Sequence, residues 1–155
     1  MTPIYQTTTY AQEEPGKHKG YEYSRSKNPT RNALEQNVAA IENGKFGACF
    51  ASGIAAIDCV LKMLKPGDEV VSTNDLYGGT YRLFTTVFEP LGIKFTFVPM
   101  GNSDAVNAHV SSKTKLIWVE TPTNPMMQIT DIAAVAEAVK GTDARVVVDN
   151  TFASP

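Results

Sequence analysis

Ser52-Gly53 stands between a short apolar run and a helical pattern. At such a place a serine hydroxyl and the first free N–H groups of a helix can hold a dianionic phosphate, and glycine permits close approach. The same dipeptide also reads as an ordinary N-cap and turn. Asp149 closes Val146-Val147-Val148. Its carboxylate is therefore expected to emerge from the middle of an apolar sheet, where a lone charge is costly unless a cation such as a protonated ring nitrogen meets it. Capping a loop through Asn150 and Thr151 is the alternative use. Tyr77, in Leu76-Tyr-Gly-Gly-Thr80, offers a flat face beside two glycines that leave room for a stacked ring, and a phenol able to move a proton. Taken alone it also suits a core. Arg25, in Tyr23-Ser24-Arg25, suits bidentate clamping of a phosphate after reaching over another subunit, or simple exposure to solvent.

Other chemistries lack their residues. A P-loop needs Gly-Lys-Ser/Thr closing a glycine loop, and a dinucleotide fold needs Gly-x-Gly-x-x-Gly after a strand. Here Gly44-Lys45 is followed by Phe46 and precedes the first apolar run. Cys49 and Cys59 sit among apolar neighbours at a spacing unlike a zinc pair or a redox Cys-x-x-Cys, so both are expected to be buried small hydrophobes. His18 and His109 have no second ligand nearby at metal spacing, and no metal site is expected. The formal net charge is -2 with both signs interleaved, which favours neither nucleic acid nor an anionic membrane as partner. The opening Met-Thr-Pro-Ile-Tyr-Gln lacks a basic region before an apolar one, and no later run is long enough to span a bilayer, so the cytoplasm is the simplest address.

The elements that must position these residues follow from periodicity. With 155 residues, 43% of them hydrophobic, the chain closes one core by default. Residues 1 to 31 hold neither a helical nor a strand period and read as an extended arm. Asn32 with Glu35 resembles a capping box, and Leu34, Val38 and Ile41 recur at helical spacing until Asn43-Gly44. Five apolar runs then read as buried strands: Ala48 to Ala51, Glu69 to Ser72, Lys94 to Val98, Leu116 to Val119 and Arg145 to Val148. Helical stretches lie between most of them, at Ile54 to Lys65, Thr80 to about Glu89 and Ile132 to Lys140. Alternation of this kind predicts an α/β fold with a mainly parallel sheet flanked by helices, and ligands in such sheets collect beyond the carboxyl ends of the strands. The polar residues fall there: Ser52-Gly53, Asn74-Asp75 with Tyr77, Glu120 through Asn124, and Asp149-Asn150.

Taken together, Tyr23-Ser-Arg-Ser-Lys-Asn-Pro-Thr-Arg31, Ala51-Ser-Gly-Ile-Ala-Ala56, Leu76-Tyr-Gly-Gly-Thr80, Glu120-Thr-Pro-Thr-Asn-Pro125 and Val148-Asp-Asn-Thr-Phe152 resemble, in order and spacing, the trans-sulfuration family of pyridoxal-phosphate enzymes. That family includes cystathionine γ-synthase, cystathionine γ-lyase and β-lyase. The resemblance covers essentially the whole chain. It implies the aspartate-aminotransferase-like large domain of fold type I over residues 32 to 155, with pyridoxal 5'-phosphate as cofactor. It implies that Ser52, Gly53 and the Ile54 amide hold the cofactor phosphate, while Tyr23 and Arg25 complete that site from a neighbouring subunit of a homodimer or homotetramer. It implies further that Tyr77 stacks on the ring and assists proton transfer, that Asn124 lies near the ring hydroxyl, and that Asp149 pairs with the ring nitrogen.

The resemblance implies γ-replacement or γ-elimination on small sulfur amino acids, with the cystathionine synthases and lyases nearest. Gly79, where methionine γ-lyases usually carry cysteine, leans the same way together with Arg82; Lys27 stands where the family usually has glycine. The family's Schiff-base lysine follows in a Ser-x-Thr-Lys motif, which no lysine here matches, and its smaller C-terminal domain also lies further on. The chain is accordingly expected to be an N-terminal fragment, with a non-catalytic subunit that only binds or associates with full-length partners as the alternative.

Overall fold

The computed structural model describes residues 2 to 155, which separate into two compact units, one up to Ala51 (together with Pro155) and one from Ser52 to Ser154. In the first unit the stretch expected to be an extended arm folds back on itself. Thr9 bridges Tyr23 antiparallel, Tyr10 N–H donates to the Glu22 carbonyl at 3.0 Å, and a small hairpin pairs β1 (Gln12–Glu14) with β2 (Lys17–His18). Helix α1 (Pro29–Ile41) starts earlier than the Asn32 capping box would have it. Its N-cap is Asn28, whose side chain accepts from the Thr30 and Arg31 N–H groups at 2.8 and 3.2 Å. Pro29 decides this: it disfavours a helical residue before it, leaving Asn28 extended, while its own fixed φ and missing N–H suit the first helical position. Glu35 is therefore free to accept the Cys49 N–H at 3.0 Å.

The second unit contains α2 (Gly53–Leu61), β3 (Glu69–Thr73), α3 (Gly78–Arg82) running on as a π-helix through Leu83–Phe88, β4 (Lys94–Val98), α4 (Ser103–Asn107), β5 (Thr114–Glu120), α5 (Ile132–Ala138) and β6 (Arg145–Asp149). The strands form one all-parallel sheet in the order β4-β3-β5-β6. This is the α/β class that the alternation of apolar runs predicts. Two details differ. Ala48 to Ala51 is not a strand: it is exposed and pairs with no strand among the described residues, and without a ladder partner an apolar run stays irregular. Residues 103–107 form a short helix that its polar composition concealed, started by Asn102, whose side chain accepts the Asp104 N–H at 2.9 Å.

Alternation along β5 builds two cores. Leu116 and Trp118 face one side with Ile57 and Leu61 of α2 and Phe84; Ile117 and Val119 face the other with Val106 and Val135. Phe84 stacks on Phe95 with ring centroids 4.5 Å apart and meets Trp118 edge-on at 5.5 Å. A strand buried on both faces reads as a continuous apolar run, which is why Leu116 to Val119 was so legible. Cys59, two residues after buried Ile57 on α2, points about 200° round the helix from it and is exposed, as is Cys49. Neither cysteine is the buried small hydrophobe that its apolar neighbours suggested. Among the described residues no helix is long and apolar enough to cross a membrane, and no cluster of His, Cys, Asp and Glu could hold a metal ion.

Candidate active site

The chain leaves β3 towards β4 on one side of it and leaves β5 towards β6 on the other. Connections diverge between these two neighbours, and at such a switch point the strand ends leave a crevice. A cavity of about 350 Å³ opens there, within the range of small-molecule sites. Ser52, Gly53 and Ile54 at the start of α2, Tyr77 after β3, Glu120 and Asn124 after β5, and Asp149 at the end of β6 all line it. Val147 packs in the same core as Leu116 and Trp118, so period-2 alternation puts Asp149 and Glu120 on the α2 side of the sheet. The helix start and the strand-end carboxylate thus share one cavity, rather than lying on opposite faces.

At the helix start Ser52 does act as an N-cap: its Oγ accepts the Ala55 N–H at 3.1 Å. Capping leaves the Gly53 and Ile54 N–H groups without an acceptor among the described residues. A Cβ built on Gly53 would meet nothing within 4 Å, so the space above it is open to an anion. The N-cap reading of Ser52-Gly53 holds and is compatible with the anion reading, since a capped helix start still offers two free donors and the positive end of the helix dipole.

Tyr77 is 48% exposed and is not a core residue. Its ring folds over Gly79: a Cβ there would lie 2.4 Å from the Tyr77 Cε1, so any side chain at 79 would displace the ring. Asp149 departs from expectation in its surroundings. β6 is an edge strand of this sheet, Asp149 is only half-buried, and its Oδ1 accepts from the Thr151 N–H at 3.2 Å and the Thr151 hydroxyl at 2.5 Å. It caps the following turn and also lines the cavity. Tyr23 and Arg25 belong to the first unit, where the Arg25 guanidinium lies 5.1 Å from the Tyr23 ring centroid; neither is among the residues lining the cavity.

The carboxylate that does leave the sheet interior is Glu120, 4% exposed at the end of β5. It accepts the Tyr77 N–H at 3.0 and 3.1 Å through its two oxygens and the Asn124 N–H at 2.8 Å. Burial pushes its pKa above the usual glutamate value; the two N–H donors pull it back, and Asp149 and Asp75 push it further up. Sequence reasoning placed Glu120 in a strand-end segment and gave it no role. The signal was present, since it is the acid that ends the longest apolar strand, but a glutamate with no charged neighbour in sequence looks like any loop acid.

The comparisons with known proteins agree along the whole chain. The family model described as Cys/Met metabolism PLP-dependent enzyme matches residues 1–155. The chain is 51% identical over 156 residues to a cystathionine beta-lyase of Coxiella burnetii, covering all of this chain and 40% of that protein. It is 52% identical over 155 residues to a cystathionine gamma-synthase of Mycobacterium tuberculosis, covering 99% of this chain and again 40% of the relative. In structure it matches metB from Corynebacterium glutamicum with a TM-score of 0.95 at 56% identity, over all of this chain and 41% of that one. The chain thus spans about 40% of the length of the curated relatives it matches. With its strand-end cavity and its match to the family along residues 1–155, the chain belongs to the Cys/Met metabolism family of PLP-dependent enzymes.

Proposed function

We propose that the chain is the cofactor-holding part of a trans-sulfuration enzyme of the cystathionine γ-synthase or γ-lyase type, acting on small sulfur amino acids by γ-replacement or γ-elimination. The observation that carries this reading is the single cavity in which free N–H groups of Gly53 and Ile54 and the carboxylate of Asp149 meet. A phosphate at one end and a cationic ring nitrogen at the other satisfy both. The residues present fit the group chemically: two orphan donors over an open glycine suit an anion, and a half-buried carboxylate suits a pyridinium.

Pyridoxal 5'-phosphate, when bound, supplies an electron-withdrawing ring that eases bond breaking at the substrate α-carbon. Ser52, Gly53 and Ile54 hold the phosphate. Asp149 keeps the ring nitrogen protonated. Tyr77, which lines the cavity, would flank the ring, and its phenol would move a proton to or from the incoming amino group. Asn124 orients the ring hydroxyl. Tyr23 and Arg25 complete the phosphate site from a second copy in a homodimer or homotetramer, carried by the folded-back stretch that the Thr9–Tyr23 bridge closes.

Titrating the full chain with pyridoxal 5'-phosphate tests this, and one saturable site is expected. Ser52→Ala should weaken binding about tenfold, the range for one hydrogen bond to a charged group. Binding unaffected by that change would remove the phosphate assignment.

A second reading has one observation in its favour: no lysine is among the residues lining the cavity. In it the chain binds the cofactor without catalysing. Borohydride treatment of the loaded chain is then expected to leave no stable adduct, and a secondary amine on one specific lysine would contradict it.

A further inference from the structure

Glu120 is the most deeply buried charged side chain at the cavity, and no lysine or arginine pairs with it among the described residues. A buried carboxylate without a cation is costly and persists only where other contacts compensate. Its contacts are few and particular. The Tyr77 N–H is 43 residues away in sequence and the Asn124 N–H is four away, and both donate to the one carboxyl group. Its own N–H donates to Thr73 Oγ1 at 3.1 Å, which locks the carrier strand to β3. The loop after β3 and the loop after β5 thus both bond to this one side chain, which lines the cavity. A second tie supports the same junction from outside: Asp75 accepts from the Thr123 hydroxyl at 2.5 Å and from the Met126 N–H at 3.2 Å.

We propose that Glu120 is the positioning residue of the ring site, holding Tyr77 and Asn124 in register with each other by accepting both of their main-chain N–H groups. The inference rests on the reading above that these two side chains flank the cofactor ring. Geometry favours it over a purely structural role, because both bonds go to the backbone of residues whose side chains line the cavity. An apolar residue would fill the same volume without the cost of burying a carboxylate, but it would leave two loop amides unpaired and the two loops joined here only through Asp75.

Ionisation gives the inference its own signature. A carboxylate accepts through both oxygens, whereas a protonated carboxyl turns one oxygen into a donor and leaves the Tyr77 and Asn124 N–H groups to share the other, neutral one, which weakens both bonds. The charged groups facing Glu120 are Asp149 at the end of β6 and Asp75 after β3, both acids, and α2 contributes no titratable residue to the cavity. Because the folded pKa is raised, Glu120's own stabilisation of the fold is fully present below the ordinary glutamate value and is lost as pH rises through the raised one. The positioning effect runs the other way, being present when Glu120 is ionised and lost on acidification. A residue with only a structural part would move stability with pH and leave ligand affinity unmoved.

The test uses the full chain, amide NMR and pyridoxine 5'-phosphate, a probe without the aldehyde and so independent of any lysine. In the ligand-free chain the Tyr77 and Asn124 amide protons are expected to titrate together, at an apparent pKa above the usual glutamate range, and to stop doing so in Glu120→Gln. At neutral pH Glu120→Gln should bind the probe a few-fold and Glu120→Ala about tenfold more weakly than the parent. The ratio of parent to Glu120→Gln affinity should fall towards one as pH drops through that pKa; comparing the two cancels the titrations of the ligand itself. Amides that ignore Glu120, or a folded Glu120→Gln that binds like the parent at every pH, would overturn the inference while leaving the site intact. A parent chain that does not bind the probe at all would overturn the ring site itself and the positioning role with it, even if the amides titrate as expected.

Discussion

Replacing Asp149 by alanine is expected to weaken binding of pyridoxal 5'-phosphate by about ten- to a hundredfold, the span of one hydrogen bond between charged partners in a partly dry site. The carboxylate lines the cavity and has no cationic partner among the described residues, so a ring N–H would supply the donor its free oxygen lacks. Asp149 also caps the turn at Thr151, and a loss of affinity could arise from that turn. Two controls separate the causes. Asp149→Asn keeps an oxygen for Thr151 and should restore the turn without restoring full affinity. A deaza analogue with carbon in place of the ring nitrogen should bind parent and Asp149→Ala alike. Equal losses for cofactor and analogue would assign the effect to the turn and remove the pyridinium role.

The second large effect is on stability. Phe84→Ala is expected to cost about 3–5 kcal/mol, the usual range for truncating a fully buried aromatic ring. Phe84 is completely buried, stacked on Phe95 and edge-on to Trp118, and truncation removes both ring contacts and leaves a cavity in the cluster. The layer has no hydrogen bonds in reserve. The Trp118 indole N–H and the Thr80 hydroxyl are both buried without a partner, so ring packing holds this core against α2 and the helix that carries Tyr77's loop. Urea unfolding checks it through a lower midpoint at an unchanged slope. A midpoint shift worth under about 1 kcal/mol, below the range for such truncations, would show that the core repacks freely.

These two residues mark different kinds of legibility. The ring contacts of Phe84 lie far apart in sequence, and nothing local marked it as the keystone. Asp149 was legible as an acid closing three valines, with a cationic partner and a loop cap as its two readings. Its environment was not, because whether β6 is central or an edge depends on strand order. The start of α1 was open to local reading as well: Asn32 with Glu35 resembles a capping box, but Pro29 restricts its predecessor by purely local sterics and sets the cap at Asn28.

The sequence by itself determined the class of fold, the order of most of its elements and which polar residues end β3, β5 and β6, because side-chain periodicity, turn residues and capping are properties of neighbours along the chain. The ordered motifs settled the family on the same footing, and the comparisons agree. Only the tertiary structure decided that β3 and β5 are adjacent with diverging connections, that Ala48 to Ala51 finds no ladder, and that Glu120 rather than Asp149 is the carboxylate taken out of water. Strand order, pairing and desolvation are relations between distant segments, and a local pattern carries no information about which segment arrives beside it.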